Sequence, residues 1–467
     1  MRSIGIVILA AGKGTRMKTT TPKALVSSLG RPMIDYVVDT VLAFAHSAKL
    51  KFDIGVVIGH KKELLEQWHD SHTHKSIIKL AWQREQNGTA DALKACLNDL
   101  PQFNDYDYTL VACADTPLIK ASDFEKLFSV LDKDPTCLGV AATFEESKPF
   151  GYGRIVRSAA GFHIVEEKDA SEEERQITEV NSGVYIVKTS HISTVLGQIS
   201  NNNKSGEFYL TDLFQDQYSV LPVHFSSGEN FLGVNTLEQL NTVSELLMNE
   251  KIKSLQASGV TFLRPATSYL EASVQIAEGT VIYPGTTLLG KTKIGSNSIV
   301  ESGSFLKDAV IENDVQVLAN SYIEDAHIKS GAAIGPMARI RPQTIIGHKA
   351  KVGNFVEIKK SELKDGAKVS HLSYVGDAQI GEETNIGCGF ITCNYDGANK
   401  HKTVIGKNCF IGSDCQVIAP IEIGDHAFVA AGSTITKSVP SGAFAVARGQ
   451  QLTKEGAAAR FLKTKKK

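Results

Sequence analysis

Residues 8–23 of the chain read ILAAGKGTRMKTTTPK. An apolar run leads straight into Gly12, Lys13, Gly14, Thr15 and Arg16, and Pro22-Lys23 follows. Glycines that let a backbone come close, set beside cations, are what an approaching phosphate requires. Two common phosphate loops are nevertheless excluded. A Walker loop needs Gly-x4-Gly-Lys-Ser/Thr, and here Gly14 separates Lys13 from Thr15. A dinucleotide fingerprint needs a third small residue where Met17 stands.

The elements that position this loop form an alternation. Segments 4–9, 54–58, 108–113 and 138–143 are short runs of β-branched, small and apolar residues without polar alternation, as expected of strands covered on both faces. Helical patterns such as 33–44 and 89–97 lie between them, so the first 235 residues predict a mainly parallel α/β sheet. Thr236-Leu237-Glu238-Gln239 then matches a capping box, opening a helix that runs apolar at Leu240, Val243 and Leu247 and ends before Gly259. It reads as a connector over 236–258.

Beyond it the period changes to six. Ile276, Ile282, Leu288, Ile294, Val300 and Leu306 open a series of aliphatic residues that continues, with occasional five-residue steps, to Ile435. Neither a plain strand nor an α-helix has that period. A parallel β-helix does, each hexapeptide forming one side and turning one aliphatic residue inward, with about 18 residues per three-sided coil and roughly nine coils. The pattern lapses at 392–404, TCNYDGANKHKTV, a polar excursion of the kind that carries function on a rigid scaffold.

Bulk properties exclude several classes. A length of 467 residues implies more than one domain, and 42% hydrophobic with 22% charged residues suits a soluble globular protein. A formal charge of −1 leaves no footprint for nucleic acid or a membrane surface, and the basic run at 463–467 reads as a solvated tail. No apolar stretch reaches the ~20 residues of a membrane span, and no signal-peptide pattern opens the chain. Seven cysteines without a C-x-x-C pair favour a reducing cytoplasm over a disulfide or zinc framework. His60, His69, His72 and His74 fit no ligand pattern and read as surface residues.

The opening loop with Pro22-Lys23 resembles the signature of sugar-phosphate nucleotidylyltransferases, L-A-A-G-x-G-T-R-[ML]-x(n)-P-K. Taken with the hexapeptide solenoid, the chain is similar from Ile6 to about Lys454 to the family of bifunctional bacterial N-acetylglucosamine-1-phosphate uridyltransferases and glucosamine-1-phosphate N-acetyltransferases. The resemblance implies a Rossmann-like α/β uridyltransferase domain over 1–235, a linker helix over 236–258 and a left-handed β-helix acetyltransferase domain over 259–467. It implies that Leu9, Ala10, Ala11, Gly12 and Gly14 cradle UTP while Arg16 and Lys23 meet the transferred phosphoryl group. Gln83 with Gly88-Thr89 would read uracil, and Gly153, Glu166 and Asn181 would hold the amino sugar. Asp115 (ADTPL) and Asn235 (GVNT) would hold Mg2+, although Asp-Thr-Pro also suits a helix start. Joining a sugar phosphate to the α-phosphorus of UTP brings anions together, so a hard cation and basic side chains fit the chemistry.

In the second half, His371 (SHLSYVGD) matches the general base that would deprotonate the amine of glucosamine 1-phosphate. Arg341, Lys359, Tyr374, Asn385 and Lys400 would form the sugar-phosphate pocket. Cys388, Asn394, Tyr395, Ser413, Ala431 and Arg448 would meet acetyl-CoA. Two departures stand out: Ala112-Cys113-Ala114-Asp115 replaces a family tyrosine-glycine-aspartate, and Cys388 replaces an alanine. The resemblance also implies a cytoplasmic homotrimer that supplies envelope precursors, its acetyl site lying between subunits. Two rivals remain at this stage: a nucleotidylyltransferase whose β-helix only regulates or oligomerises, and a catalytically dead assembly subunit.

Overall fold

The computed structural model describes residues 2–159 and 161–462, so the basic run at 463–467 lies outside the described residues. The chain divides into two compact units, Met1–Asn249 and Glu250–Lys467.

The first unit is built on strands β1 (Ser3–Leu9), β2 (Lys51–Ile58), β3 (Ile78–Trp82), β4 (Tyr108–Cys113), β5 (Gly139–Glu145), β6 (Glu179–Lys188) and β7 (Val220–Phe225). They lie in the order β7-β5-β6-β4-β1-β2-β3. Ile4, Ile6, Val7 and Ile8 of β1 are wholly buried, which is why no polar residue interrupts the strand. Helices Met33–Ser47, Lys62–Ser71, Thr89–Asp99 and Ala121–Lys133 connect the strands. The sheet is not parallel throughout, since β6 runs antiparallel to both β4 and β5. It carries a register shift between Asn181 and Tyr185, where Gly183 has φ 78°. Such a bulge bends a strand and re-aims its side chains.

The helix Leu237–Ala257 starts with the expected capping box: Gln239 N donates to Thr236 Oγ1 at 3.2 Å and Thr236 N to Gln239 Oε1 at 3.1 Å. The division between the two compact units falls within it, after Asn249. One expectation for this unit fails. His72 is not a surface residue; its side chain is only 10% exposed, its ring lies 4.9 Å from that of Trp68 at a 50° tilt, and burial lowers its pKa.

The second unit is a three-sided parallel β-helix whose sheets hold 11, 10 and 9 strands. Ile282, Leu288, Val300, Leu306, Val317, Ile323 and their successors are fully buried, one per side per coil. Each such side chain stabilises the stack by about 2 kcal/mol. A second six-residue series of small hydroxyls (Thr280, Thr286, Thr292, Ser298) is also buried. Their oxygens donate to backbone carbonyls, such as Thr280 Oγ1 to Gly295 O at 2.9 Å and Thr286 Oγ1 to Tyr283 O at 2.7 Å. Carbonyls turned inside at the corners are thereby satisfied.

The polar excursion is shorter than expected. Thr392 and Thr403 lie within strands Ile391–Cys393 and Thr403–Ile405 and are buried. Thr392 takes the inward slot six residues after Ile386, and its Oγ1 accepts from Gly376 N at 2.8 Å. A hydroxyl with a partner fills an aliphatic position, so only 394–402 leave the coil.

Candidate active sites

The chain runs from β1 to β2 on one side of β1 and returns to β4 on the other, which makes the gap between β1 and β4 the switch point of the sheet. Ligands of open α/β sheets bind at the carboxyl ends of such strands. A cleft of about 450 Å3 opens there. Leu9, Ala10, Ala11, Gly12, Lys23, Gln83, Gly88, Thr89 and Asp115 all line it. Gly14 does not, but at φ 58° a Cβ on it would fall 2.9 Å from Lys23 Cβ. The glycine lets the lysine stem lie against the loop.

Lys23 is the hub of this cleft. Its ammonium pairs with the Asp115 carboxylate and donates to Asn235 Oδ1 at 2.7 Å. Arg16 donates to the same Asn235 oxygen at 2.9 Å. Two joints hold the carriers in place: Asn235 N donates to Gln239 Oε1 at 2.7 Å, and Val234 N to Asp115 O at 2.9 Å. The helix-cap alternative for Asp115 fails, because the helix Ala121–Lys133 is capped by Asp123, which accepts from Lys120 N at 3.0 Å.

Gln83 is buried, and its Nε2 donates to Gly88 O at 3.0 Å and to Asp91 Oδ2 at 2.8 Å. Both amide hydrogens are spent, so Oε1 remains to accept an N–H from a ligand. Gly88, at φ 118°, lies so close to Phe208 that a Cβ would sit 2.4 Å from the Phe208 carbonyl oxygen. Phe208 N donates to Asn87 O at 2.7 Å, Ala90 N to Phe208 O at 3.0 Å and Leu210 N to Thr89 Oγ1 at 3.0 Å. These bonds fasten the segment around Phe208 to the Gly88-Thr89 turn.

Gly153, Glu166 and Asn181 lie outside the cleft lining but form a group of their own. Asn181 N donates to Gly153 O at 2.9 Å, and its Nδ2 donates to the Tyr185 hydroxyl at 2.6 Å. Burial raises the pKa of Glu166, which accepts from Thr211 Oγ1 at 3.2 Å, and burial with Glu166 nearby raises that of Tyr185. The bulge ties this group to the cleft, since a Cβ at Gly183 would meet Cys113 Sγ at 3.9 Å. Burial pushes the Cys113 thiol up to about 12, so it stays protonated beside the cleft.

In the β-helix unit, strand register does the positioning. Asn354 pairs with His371, and Gly389 N donates to Leu372 O at 2.9 Å, which sets Cys388 beside His371 on the next coil. Asp414 N donates to Cys388 O at 2.6 Å and Gly432 N to Ser413 O at 2.8 Å, extending the file through Ser413 to Ala431. Arg448 closes it, donating to Ala431 O at 2.9 Å. His371 Nδ1 lies 3.1 Å from Asn354 Oδ1, an acceptor only, so Nδ1 carries the proton and Nε2 keeps its lone pair.

Lys359 and Tyr374 belong to the neighbouring 10-stranded sheet, Arg341 directly follows its strand Arg339–Ile340, and Arg341 donates to Glu357 Oε1 at 2.8 Å. The Lys400 amine against Lys359, with Arg341 adding to it, lowers the Lys359 pKa. These three cations converge; Asn385 instead sits on the 11-stranded sheet, paired with Lys368 and Phe410. A second cavity, about 380 Å3, takes in Lys400 and Asp377 but not His371, Arg341 or Lys359. The 394–402 loop is pinned at its base by Asn394 Nδ2 donating to Asp377 Oδ2 at 2.6 Å. At its tip Asp396 accepts from Ala398 N at 2.8 Å and Asn399 N at 2.6 Å and pairs with His401 at 2.6 Å. Tyr395 stands exposed beside it.

Comparison with known proteins finds relatives whose sequences span both units. Residues 6–180 match the MobA-like NTP transferase domain family, residues 402–437 the bacterial transferase hexapeptide (six repeats) family, and residues 323–417 the GMPPB C-terminal domain family. The bifunctional protein GlmU of Geotalea uraniireducens (strain Rf4) is 39% identical over 464 residues, covering 98% of this chain and 99% of that protein. That of Exiguobacterium sp. (strain ATCC BAA-1283 / AT1b) is 41% identical, covering 96% and 98%. That of Clostridioides difficile (strain 630) is 38% identical, covering 96% of each. The chain belongs to the bifunctional GlmU family. Its solenoid is the left-handed β-helix of hexapeptide repeats.

Some residues at the GlmU-type cleft escaped the sequence reading. Gln86 and Glu207 also line it, together with Lys13 of the opening loop. Gln86 stands between Gln83 and Gly88 in the run QREQNGTA, so its place beside them was legible in the sequence. Glu207 had no local signal, because only the backbone zip through Phe208 brings it there. Asn354, which sets the His371 tautomer, was equally invisible, lying one coil away in the sequence.

Proposed function

We propose that this chain makes UDP-N-acetylglucosamine in two steps at two separate sites. The β-helix unit transfers acetyl from acetyl-CoA to the amine of glucosamine 1-phosphate. The first unit then joins the product to UMP from UTP and releases pyrophosphate, yielding an envelope precursor. The observation that carries this reading is the file of Asn354, His371, Cys388, Ser413 and Ala431 on a solenoid that also bears a cationic cluster. A solenoid that only regulates or oligomerises has no need of either.

In acetyl transfer, His371 Nε2 takes one proton of the substrate ammonium, the amine attacks the thioester carbonyl, and the C–S bond breaks so that coenzyme A leaves as its thiol with the second proton lost by that nitrogen. The backbone N–H at Cys388 is offered to the oxygen that becomes negative, a role indifferent to the thiol side chain. Arg341, Lys359 and Lys400 supply charge for the sugar phosphate. In uridyl transfer, Gln83 Oε1 accepts the uracil imide N–H, Gly12 and Gly14 admit the phosphates, and Arg16 with Lys23 offset charge at the α-phosphorus. The donor chemistry of Asp115 and Asn235 fits Mg2+, since a carboxylate and an amide oxygen already hold a cation, the Lys23 ammonium, between them. Among the described residues no group of three or more His, Cys, Asp or Glu could hold a metal. Mg2+ commonly takes one or two protein oxygens and completes its shell with phosphates and water. When bound it would neutralise phosphate charge.

A homotrimer fits the surface beside His371. Met337, Phe355 and Leu372 are 48%, 56% and 60% exposed on successive coils. Each bulky side chain also sits on left-handed backbone, at φ 55°, 57° and 35°. Packing against further copies would bury that ridge and wall the open file of His371. A cytoplasmic setting fits seven cysteines that are all free, and no helix among the described residues is long and apolar enough to cross a membrane. The decisive test assays both half-reactions on the purified chain. Thiol release from acetyl-CoA must require glucosamine 1-phosphate, and pyrophosphate release from UTP must require the N-acetylated sugar. A chain active only in the second is a nucleotidylyltransferase with a structural solenoid.

A further inference from the structure

The position between Asp115 and Asn235 is already filled by a cation of the chain itself. The Lys23 ammonium pairs with the Asp115 carboxylate and donates to Asn235 Oδ1 at 2.7 Å, while Arg16 donates to that oxygen at 2.9 Å. Asp115 Oδ2 and Asn235 Oδ1, one oxygen from each residue proposed to hold Mg2+, therefore both face a positive group. A divalent ion bound to both oxygens would stand within a few ångströms of the ammonium, and two such charges repel strongly in a partly buried site. Lysine and metal exclude each other in this arrangement.

The lysine has somewhere to go. Its stem rests on Gly14, where a Cβ would intrude to 2.9 Å, so the backbone end is fixed and the ammonium end can turn. Its side chain is 17% exposed and lines the same cleft as Gly12. A triphosphate there offers the ammonium an anion richer than the carboxylate it leaves.

We propose that Lys23 is a built-in counter-cation that blocks the metal position until a nucleoside triphosphate draws it away, so that the divalent ion binds with or after UTP and not before it. The inference rests on the assignment of Asp115 and Asn235 as the metal's ligands and deepens it. It makes Lys23 a gate for metal entry as well as a phosphate contact.

Mn2+ binding followed by electron paramagnetic resonance tests this without any turnover. The wild-type chain, Lys23→Met and Asp115→Asn are each titrated with Mn2+, alone and with UTP. Methionine keeps the apolar stem against Gly14 without the charge, and Lys23→Gln serves as a second uncharged variant should it melt early. Wild type alone is expected to bind Mn2+ at least tenfold more weakly than either uncharged variant, and UTP should close that gap. Equal Mn2+ affinity of wild type and the Lys23 variants without nucleotide overturns the gate. Asp115→Asn is expected to lose Mn2+ binding throughout. If it keeps full affinity with UTP, the ligand assignment itself is wrong, an outcome separate from failure of the gate.

Discussion

The two sites are built on opposite principles. The cleft of the first unit gathers side chains from distant parts of the chain: Lys23 meets Asn235 across 212 residues, and Gly88 is fastened to the segment at Phe208. The file on the β-helix gathers residues one coil apart, Asn354 beside His371 at a separation of 17. One site depends on a few long-range joints, whereas the other repeats a local rule that neighbouring coils enforce independently. Damage at a joint of the cleft should therefore spread through the first unit, and damage on the file should stay where it is made.

The largest effect expected is on the file. Replacing His371 by Ala removes a proton acceptor that lies exposed and takes no part in the core. Acetyl transfer should fall about 1,000-fold, within the span of general-base contributions, with uridyl transfer and melting temperature unchanged. Equal loss of both reactions would show that the file is not the independent element this comparison makes it.

Gly88→Ala tests the opposite principle. The new Cβ would meet the Phe208 carbonyl oxygen at 2.4 Å on a backbone at φ 118°, and strain of this sort costs about 1–3 kcal/mol. Displacing the Gly88-Thr89 turn by even an ångström should cut uridyl transfer by about 100-fold and lower the melting temperature of the first unit. Gly432, on the file side, has φ 72° and only Arg448 Cδ nearby, at 3.9 Å. Its change to Ala should cost only about 1–2 kcal/mol of local strain and leave uridyl transfer untouched. A Gly88 variant with full uridyl transfer would remove the case for a joint at Phe208.

The same contrast explains what could be read in advance. Ile282 and Leu288 announce the solenoid because each side of each coil has one inward slot, and the period of a stacked repeat survives in one dimension. Thr392 shows the limit of that rule: a hydroxyl with the Gly376 N–H as partner occupies the slot as well as an aliphatic group, which hid the true edge of the loop. In the first unit, β1 and β4 were legible because strands buried on both faces are almost wholly apolar; Thr109 of β4 is buried only with its hydroxyl 3.0 Å from that of Thr189. The reversal of β6 and its bulge at Gly183 were not, since pairing partners are chosen by the sheet and leave no mark in the strand's own composition. Lys23 and Asn235 were identifiable only through motif resemblance; no pattern local to either predicts that they touch.

Glu166 sharpens the comparison at a smaller scale. Burial raises its pKa, so the folded state holds the proton more tightly than the unfolded chain does. Its effect on stability is most favourable below the unfolded value near 4.3 and is lost as pH rises through the folded value. At pH 7.5 the carboxylate therefore opposes folding. Glu166→Gln should raise the melting temperature of the first unit by about 2 °C at that pH, with no gain at pH 4, while weakening use of the amino sugar. A loss of stability at pH 7.5 would mean the carboxylate has a stabilising partner beyond Thr211.

The smallest expected effect lies in the 394–402 loop, the one part of the β-helix site that is not set by coil register. Its tip depends on Asp396, whose pKa is held far below the usual carboxylate range by the Asn399 N–H first and then by His401 and the Ala398 N–H. A lowered value means the contribution is complete above the unfolded carboxylate's range near 3.9 and fades as pH falls through the folded value, so at neutral pH it is fully present. Asp396→Asn keeps the shape, loses the charge and sits in open solvent, where an ion pair holds little. The KM for acetyl-CoA should rise roughly threefold at neutral pH, with kcat and the stability of both units unchanged. Moderate salt should shrink the difference between variant and wild type, because an exposed pair is screened. A change confined to kcat would instead place Asp396 within reach of the reacting groups, and the loop would then belong to the same rigid file as His371.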